Sequence, residues 1–169
     1  TNKKIKLVEI NKVKYEERLE ATINALGEGV DYIYQGFLEN KQLMGYPDLL
    51  KKIDKPSDLG DFSYEVVDIK RSKNPKQENI TQLLTYSFLL EKVQGNLPNH
   101  INIINGLAHT LNSFNTKDFY QSFMSLKEDF EDYVSDIEKK EGNQLENILY
   151  DSCEYVSYSC DTIPRENDL

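Results

Sequence analysis

YEVVDIKRSK, residues 64–73, decides how the rest of this chain is read. Val66, Val67 and Ile69 are strand formers, and the segment predicts a buried β-strand. Side chains alternate faces along a strand, so Tyr64, Val66, Asp68 and Lys70 share one side. Glu65, Val67 and Ile69 share the other. A carboxylate and an ammonium on an apolar strand are costly to bury unless they pair, meet water or bind something. That cost marks Asp68 and Lys70 as candidate functional residues. Alone, an Asp-x-Lys also fits an ion pair at a solvated strand end.

Downstream, the polar run SKNPKQEN (72–79) leads into QENITQLLTYSFLLEKV, which predicts a helix over about 77–93 broken by Gly95 and Pro98. Gln82 and Tyr86, four apart, lie on one face of it. HINIINGL (100–107) reads as a short strand. HTLNSFN extends the sheet, and Asn115 or Thr116 then caps a helix to about Lys140. Phe119, Phe123, Leu126, Phe130, Val134 and Ile137 form its apolar stripe, with an acidic outer face. Beyond Glu141 the chain is acidic, tyrosine-rich and loop-like, with Cys153 and Cys160.

Upstream, DKPSDLGDF (54–62) is a loop. VDYIYQGFLEN (30–40) reads as one strand and KQLMGYPDLLKKI (41–53) as its hairpin partner, turning through Glu39 to Lys41. Pro47 cannot donate to a ladder, so it implies an edge, a bulge or a short segment; Asp48 follows it. A helix over about 14–27 presents Leu19, Ile23 and Leu26 inward and stops at Gly27 and Gly29. Glu16, Glu17 and Glu20 form its solvated face. KIKLVEI (4–10) is a short strand. The element order implies one α/β domain over residues 1–140 and an acidic extension over 141–169.

The 169 residues suit a domain with a sizeable core. Charged residues make up 29% and hydrophobic ones 38%, with 11 tyrosines and 7 phenylalanines, a globular rather than disordered balance. No apolar run is long enough to span a membrane, and nothing at the start resembles an export signal. With two cysteines, a reducing, cytoplasmic location is expected. The chain starts at Thr1, as a fragment or trimmed domain would. The net charge of −9 weakens a nucleic-acid reading without excluding it, because it is unevenly placed. Residues 1–100 carry 15 basic and 15 acidic side chains, against 5 and 14 in residues 101–169. Lys70, Arg71, Lys73 and Lys76 make the surroundings of the central strand locally positive.

Asp48 and Asp68 fall on adjacent predicted strands, about 5 Å apart in a sheet, so their carboxylates can share one cation. Oxygen ligands select a hard ion such as Mg²⁺ or Mn²⁺. Phosphodiester hydrolysis uses such an ion to neutralise phosphate and activate water. A neighbouring lysine would orient or deprotonate that water and stabilise developing charge. Other chemistries find no support: there is no Gly-rich phosphate loop, no nucleophile elbow, and only His100 and His109. The aromatic residues at helical spacing read as core before base-stacking platforms.

GYPDLL, YEVVDIK and ITQLLTYSFLLEKVQG, in that order, resemble the RecB-type branch of the PD-(D/E)XK nuclease superfamily, and within it a bacterial set of predicted RecB-like nucleases. The resemblance runs from about Ala21 to Tyr133. It implies a restriction-endonuclease-like mixed β-sheet flanked by helices. It also implies a Mg²⁺- or Mn²⁺-dependent nuclease acting on DNA phosphodiester bonds in repair or processing. Asp48 matches the first metal-binding acid, Asp68 the second, and Lys70 the signature lysine; the Ile69 carbonyl would be a further metal ligand. Gln82 and Tyr86 match the helix motif beside the active site and DNA backbone.

DNA and a helicase domain or subunit are the implied partners, with no membrane and no small-molecule substrate. The family's early-helix histidine has no counterpart here. CEYVSYSCDTIPRENDL resembles the family's cysteine cluster, but Val156 stands where a second cysteine is expected. Cluster ligation takes four cysteines, which argues against bound iron–sulfur or zinc. The alternative reading is a catalytically weakened nuclease-fold module that binds DNA or protein within a helicase–nuclease protein.

Overall fold

The structure, a computed structural model, describes residues 5–40, 43–71, 76–106 and 109–141, with side chains through Ile137. Eight strands and three α-helices follow in the order β1 (Leu7–Glu9), α1 (Arg18–Gly27), β2 (Tyr32–Tyr34), β3 (Leu38–Asn40), β4 (Leu43–Gly45), β5 (Leu49–Ile53), β6 (Ser63–Lys70), α2 (Gln77–Gln94), β7 (His100–Asn105), β8 (Thr110–Asn115) and α3 (Lys117–Glu141). Six strands form one mixed sheet in the order β1-β2-β5-β6-β7-β8. β1 runs parallel to β2 and β6 parallel to β7, and the other neighbours are antiparallel. The fold is therefore α/β, a mixed sheet flanked by helices, as expected for a restriction-endonuclease-like architecture. Among the described residues no helix is long and apolar enough to cross a membrane.

The central strand is β6, paired antiparallel to β5 and parallel to β7. Parallel neighbours need a crossover, and α2 supplies it, which lays the helix back over β6. Tyr64 and Val66 on β6, Leu83, Leu89 and Leu90 on α2, Ile101 and Ile103 on β7, and Leu26 on α1 meet in one core cluster. Each such side chain contributes about 1.5–3 kcal/mol by leaving water. Both faces of β6 are buried as far as Asp68, and burial ends at Ile69, which is 48% exposed. The strand thus carries its two charges to the point where the core opens.

Two contacts fix the other end of β6. Gln94, the last residue of α2, accepts from Tyr64 N at 2.9 Å and donates to Tyr64 O at 3.2 Å. Gly95 then takes φ 73°, a left-handed helix stop, and a side chain there would run into the Asp58 carboxylate. The Gln-Gly pair that ends α2 is therefore a structural lock that holds helix and strand in register.

Several expectations change in detail. The strand expected over 30–40 is two strands, β2 and β3, and its partner over 41–53 is likewise two, β4 and β5. β2 pairs with β5 in the main sheet while β3 and β4 form a separate two-stranded ribbon. Gln35–Phe37 and Tyr46–Asp48 form the paired breaks, where Gln35 leaves the β region at φ 52°. Pro47 lies in one of those breaks, as a residue without a donor should. Glu39 and Asn40 are strand residues, paired with Met44 and Leu43, rather than the turn.

The first helix begins at Arg18 after two short 3₁₀ turns, and its buried face is Thr22, Ala25 and Leu26, with Ile23 outside. Asn115 Oδ1 accepts from Lys117 N at 3.1 Å, giving α3 its cap. Of the α3 stripe, Phe123 and Val134 are buried while Leu126 is exposed. Lys73, Cys153, Val156 and Cys160 lie outside the described residues.

Candidate metal and phosphate site

Asp48 leaves the β4–β5 break beside the end of β6. Its Oδ2 accepts from the backbone amide of Ile69 at 2.9 Å, between Asp68 and Lys70. Its Oδ1 accepts from Gln35 Nε2 at 2.8 Å, and its carbonyl accepts from Gln35 N at 2.9 Å. The carboxylate is thus held at both oxygens by the two breaks and the central strand. In a strand the N–H and C=O of one residue point to the same side, so the Ile69 carbonyl also faces the Asp48 edge.

Asp68 is 2% exposed, and its carboxyl lies within hydrogen-bonding reach of Asp48. Burial, followed by that hydrogen bond, pushes its pKa up to about 6 despite the opposing pull of Lys70. Lys70 Nζ sits 2.9 Å from Asp68 Oδ2. That ion pair is the contact Oδ2 makes, and no further hydrogen-bond partner reaches this buried oxygen among the described residues. Lys70 thus offsets the Asp68 charge across the ion pair, while burial and the Asp48 carboxylate act against it.

Lys70 Nζ also donates to Gln82 Oε1 at 3.1 Å, and Gln82 Nε2 donates to Tyr86 Oη at 2.8 Å. The i, i+4 spacing on α2 makes the second bond, and the crossover over β6 makes the first. Tyr86 is buried against Gly45: a methyl on Gly45 would collide with its ring. That close approach ties the β3–β4 ribbon to the helix.

All five side chains singled out in the sequence, Asp48, Asp68, Lys70, Gln82 and Tyr86, therefore meet at one place. Gln35 carries no site signal in the sequence because it lies inside what reads as a continuous strand. The only mark there is the Gln-Gly dipeptide interrupting aromatic residues. Glu65, on the opposite face of β6, is also buried and was not singled out. Its Oε1 accepts from His100 N and faces His100 Nδ1, at 3.2 and 3.0 Å, and its Oε2 accepts from Asn102 at 3.3 Å. Those bonds satisfy it, so Glu65 and His100 read as a structural link between β6 and β7.

A small divalent cation bound between two adjacent carboxylates would take the place of the proton that burial and the neighbouring acid favour on Asp68. Among the described residues no group of three or more His, Cys, Asp or Glu side chains is placed to hold a metal. Mg²⁺ characteristically keeps several waters and takes one or two carboxylates, so a two-acid set fits it better than it fits Zn²⁺ or Ca²⁺. Glu16, Glu17 and Glu20 are exposed and supply no third ligand. No protein-family model and no curated protein sequence matches the chain.

Proposed function

We propose that this chain is a metal-dependent nuclease that hydrolyses DNA phosphodiester bonds. The observation that carries the reading is the Asp48–Asp68 carboxylate pair with the Lys70 ammonium beside it. Asp48, Asp68 and the Ile69 carbonyl would hold Mg²⁺ or Mn²⁺, which when bound supplies Lewis-acid stabilisation of phosphate charge. Lys70 would hold the attacking water and stabilise negative charge on the phosphoryl oxygens as it develops. Gln82 fixes where that ammonium points, and Tyr86 fixes Gln82. Arg71 and Lys76, both exposed, flank the site with positive charge suited to a phosphate backbone.

The test is cleavage of single- and double-stranded DNA by the purified chain with Mg²⁺ or Mn²⁺. Activity lost in Lys70→Ala and Asp68→Asn is expected; activity surviving both would sink the reading. A second reading, a nuclease-fold module binding DNA or protein within a helicase–nuclease assembly, draws support from the two-acid ligand set. Calorimetry separates them, since a non-catalytic module has no need to bind the ion.

A further inference from the structure

An aromatic ladder runs outward from Asp48, and neither the core nor the proposed chemistry uses its outer end. Tyr46 lies two residues before Asp48, at most about 7 Å of extended chain away. Phe37 lies two residues after Gln35, which bonds Asp48 directly. Phe37 and Tyr46 stack with ring centroids 4.8 Å apart and planes inclined by 24°. Tyr15 continues the series, its centroid 6.2 Å from Phe37. Phe37 is buried, but Tyr15 is 55% exposed. Arg18 lies 5.9 Å from the Tyr15 centroid, with its guanidinium tied to Val13 O and Asn11 O.

We propose that Tyr15, Phe37 and Tyr46 form a base-binding subsite in which one unpaired nucleobase stacks on Tyr15 while its phosphate lies at Asp48 and Asp68. The proposal rests on the nuclease reading and assigns it a contact to a base. Stacking needs a fixed π-face in water, and Tyr15 is held by the tilted Phe37 ring on one side and by Arg18 beside it. Glu16 and Glu17 follow Tyr15 in the same exposed turn and offset Lys14 and Arg18 on either side, so this rim offers phosphate no net positive charge. The contact is therefore to the base, tolerant of base identity and weakly sensitive to salt.

The experiment measures anisotropy of a labelled oligothymidine and of the same backbone carrying abasic sites, using the full chain in EDTA. Roughly tenfold tighter binding of the oligothymidine is expected, with the difference abolished in Tyr15→Ala and retained in Tyr15→Phe. Tyr15→Leu, which keeps apolar packing without a π-face, is expected to behave as Tyr15→Ala, and melting curves check that each variant folds. Equal binding of the two oligonucleotides overturns the proposal, as does a difference that survives Tyr15→Leu. Because binding is read without metal, base discrimination in a chain that never cleaves DNA overturns the nuclease reading alone. Cleavage without base discrimination overturns the subsite alone.

Discussion

Asp48 and Asp68 meet where β5 and β6 begin to separate, and burial, added to the proximity of their carboxyls, raises the Asp68 pKa to about 6. The Ile69 amide holds Asp48 in place at 2.9 Å, so the pair cannot relax by moving apart without breaking a bond to the central strand. The arrangement stores electrostatic cost at the point where a cation would remove it.

Stability should therefore depend on pH in a specific direction. The folded chain keeps a proton on Asp68 up to about 6, against an ordinary value of 3.8, so it binds more protons than the unfolded chain between these limits. Stability falls as pH rises through that window and levels off above it. Asp68→Asn removes the buried charge and should stabilise the fold at pH 8 in EDTA by an amount on the order of 3 kcal/mol, read as a higher melting temperature. The gain should shrink at pH 4, where the wild-type group is neutral. Thermal melts at both values check this; a variant less stable at pH 8 than the wild type would contradict it.

Mg²⁺ or Mn²⁺ should reverse the cost. At a concentration about a hundredfold above its dissociation constant, a bound ion stabilises the fold by about 2.7 kcal/mol. Ion and proton compete for the same carboxylates, so affinity should rise as pH passes through about 6. Asp48→Asn and Asp68→Asn should each lose the metal-dependent melting shift. Titration calorimetry at pH 5.5 and 7.5 gives the competition directly.

Gln35 separates positioning from strain. Gln35→Ala deletes the 2.8 Å bond to Asp48 but keeps a non-glycine residue at φ 52°, whereas Gln35→Gly deletes the bond and relieves the backbone. The glycine variant should be more stable than the alanine variant by about 1 kcal/mol. Both should weaken Mn²⁺ binding by roughly 10–100-fold, as loss of a group that orients a ligand does. Metal affinity unchanged in both variants would remove Gln35 from the site.

The Lys70–Gln82–Tyr86 chain predicts an effect at a distance. Tyr86→Phe removes the acceptor for Gln82 Nε2 and should cost about 1 kcal/mol of stability while lowering cleavage more than metal binding. Gly45→Ala pushes a methyl into the Tyr86 ring and should cost about 1–3 kcal/mol, with a similar loss of cleavage. Wild-type cleavage in a folded Gly45→Ala would show that Tyr86 does not act through Gln82.

Much of the fold was legible because it obeys local rules. β6 reads as a strand from Val66, Val67 and Ile69, α2 as a helix from its apolar run and Gly95, and α3 from Asn115 and its apolar stripe. What failed was continuity: residues 30–53 look like one long hairpin, because a break at Gln35 carries no proline and only one glycine. Tertiary contact decided there, since bending both strands together lets β2 and β5 join the sheet while β3 and β4 reach α2 at Tyr86.

The order of residues alone determined that Asp68 and Lys70 share a face and that Gln82 and Tyr86 share another, because strand and helix periods are local. It could not determine that Asp48 turns its two oxygens to Gln35 and Ile69, or that Asp68 Oδ2 stays buried without a hydrogen bond. Those depend on where the β4–β5 break comes to rest against β6. Packing across the sheet sets that position, and no residue encodes it in its neighbours.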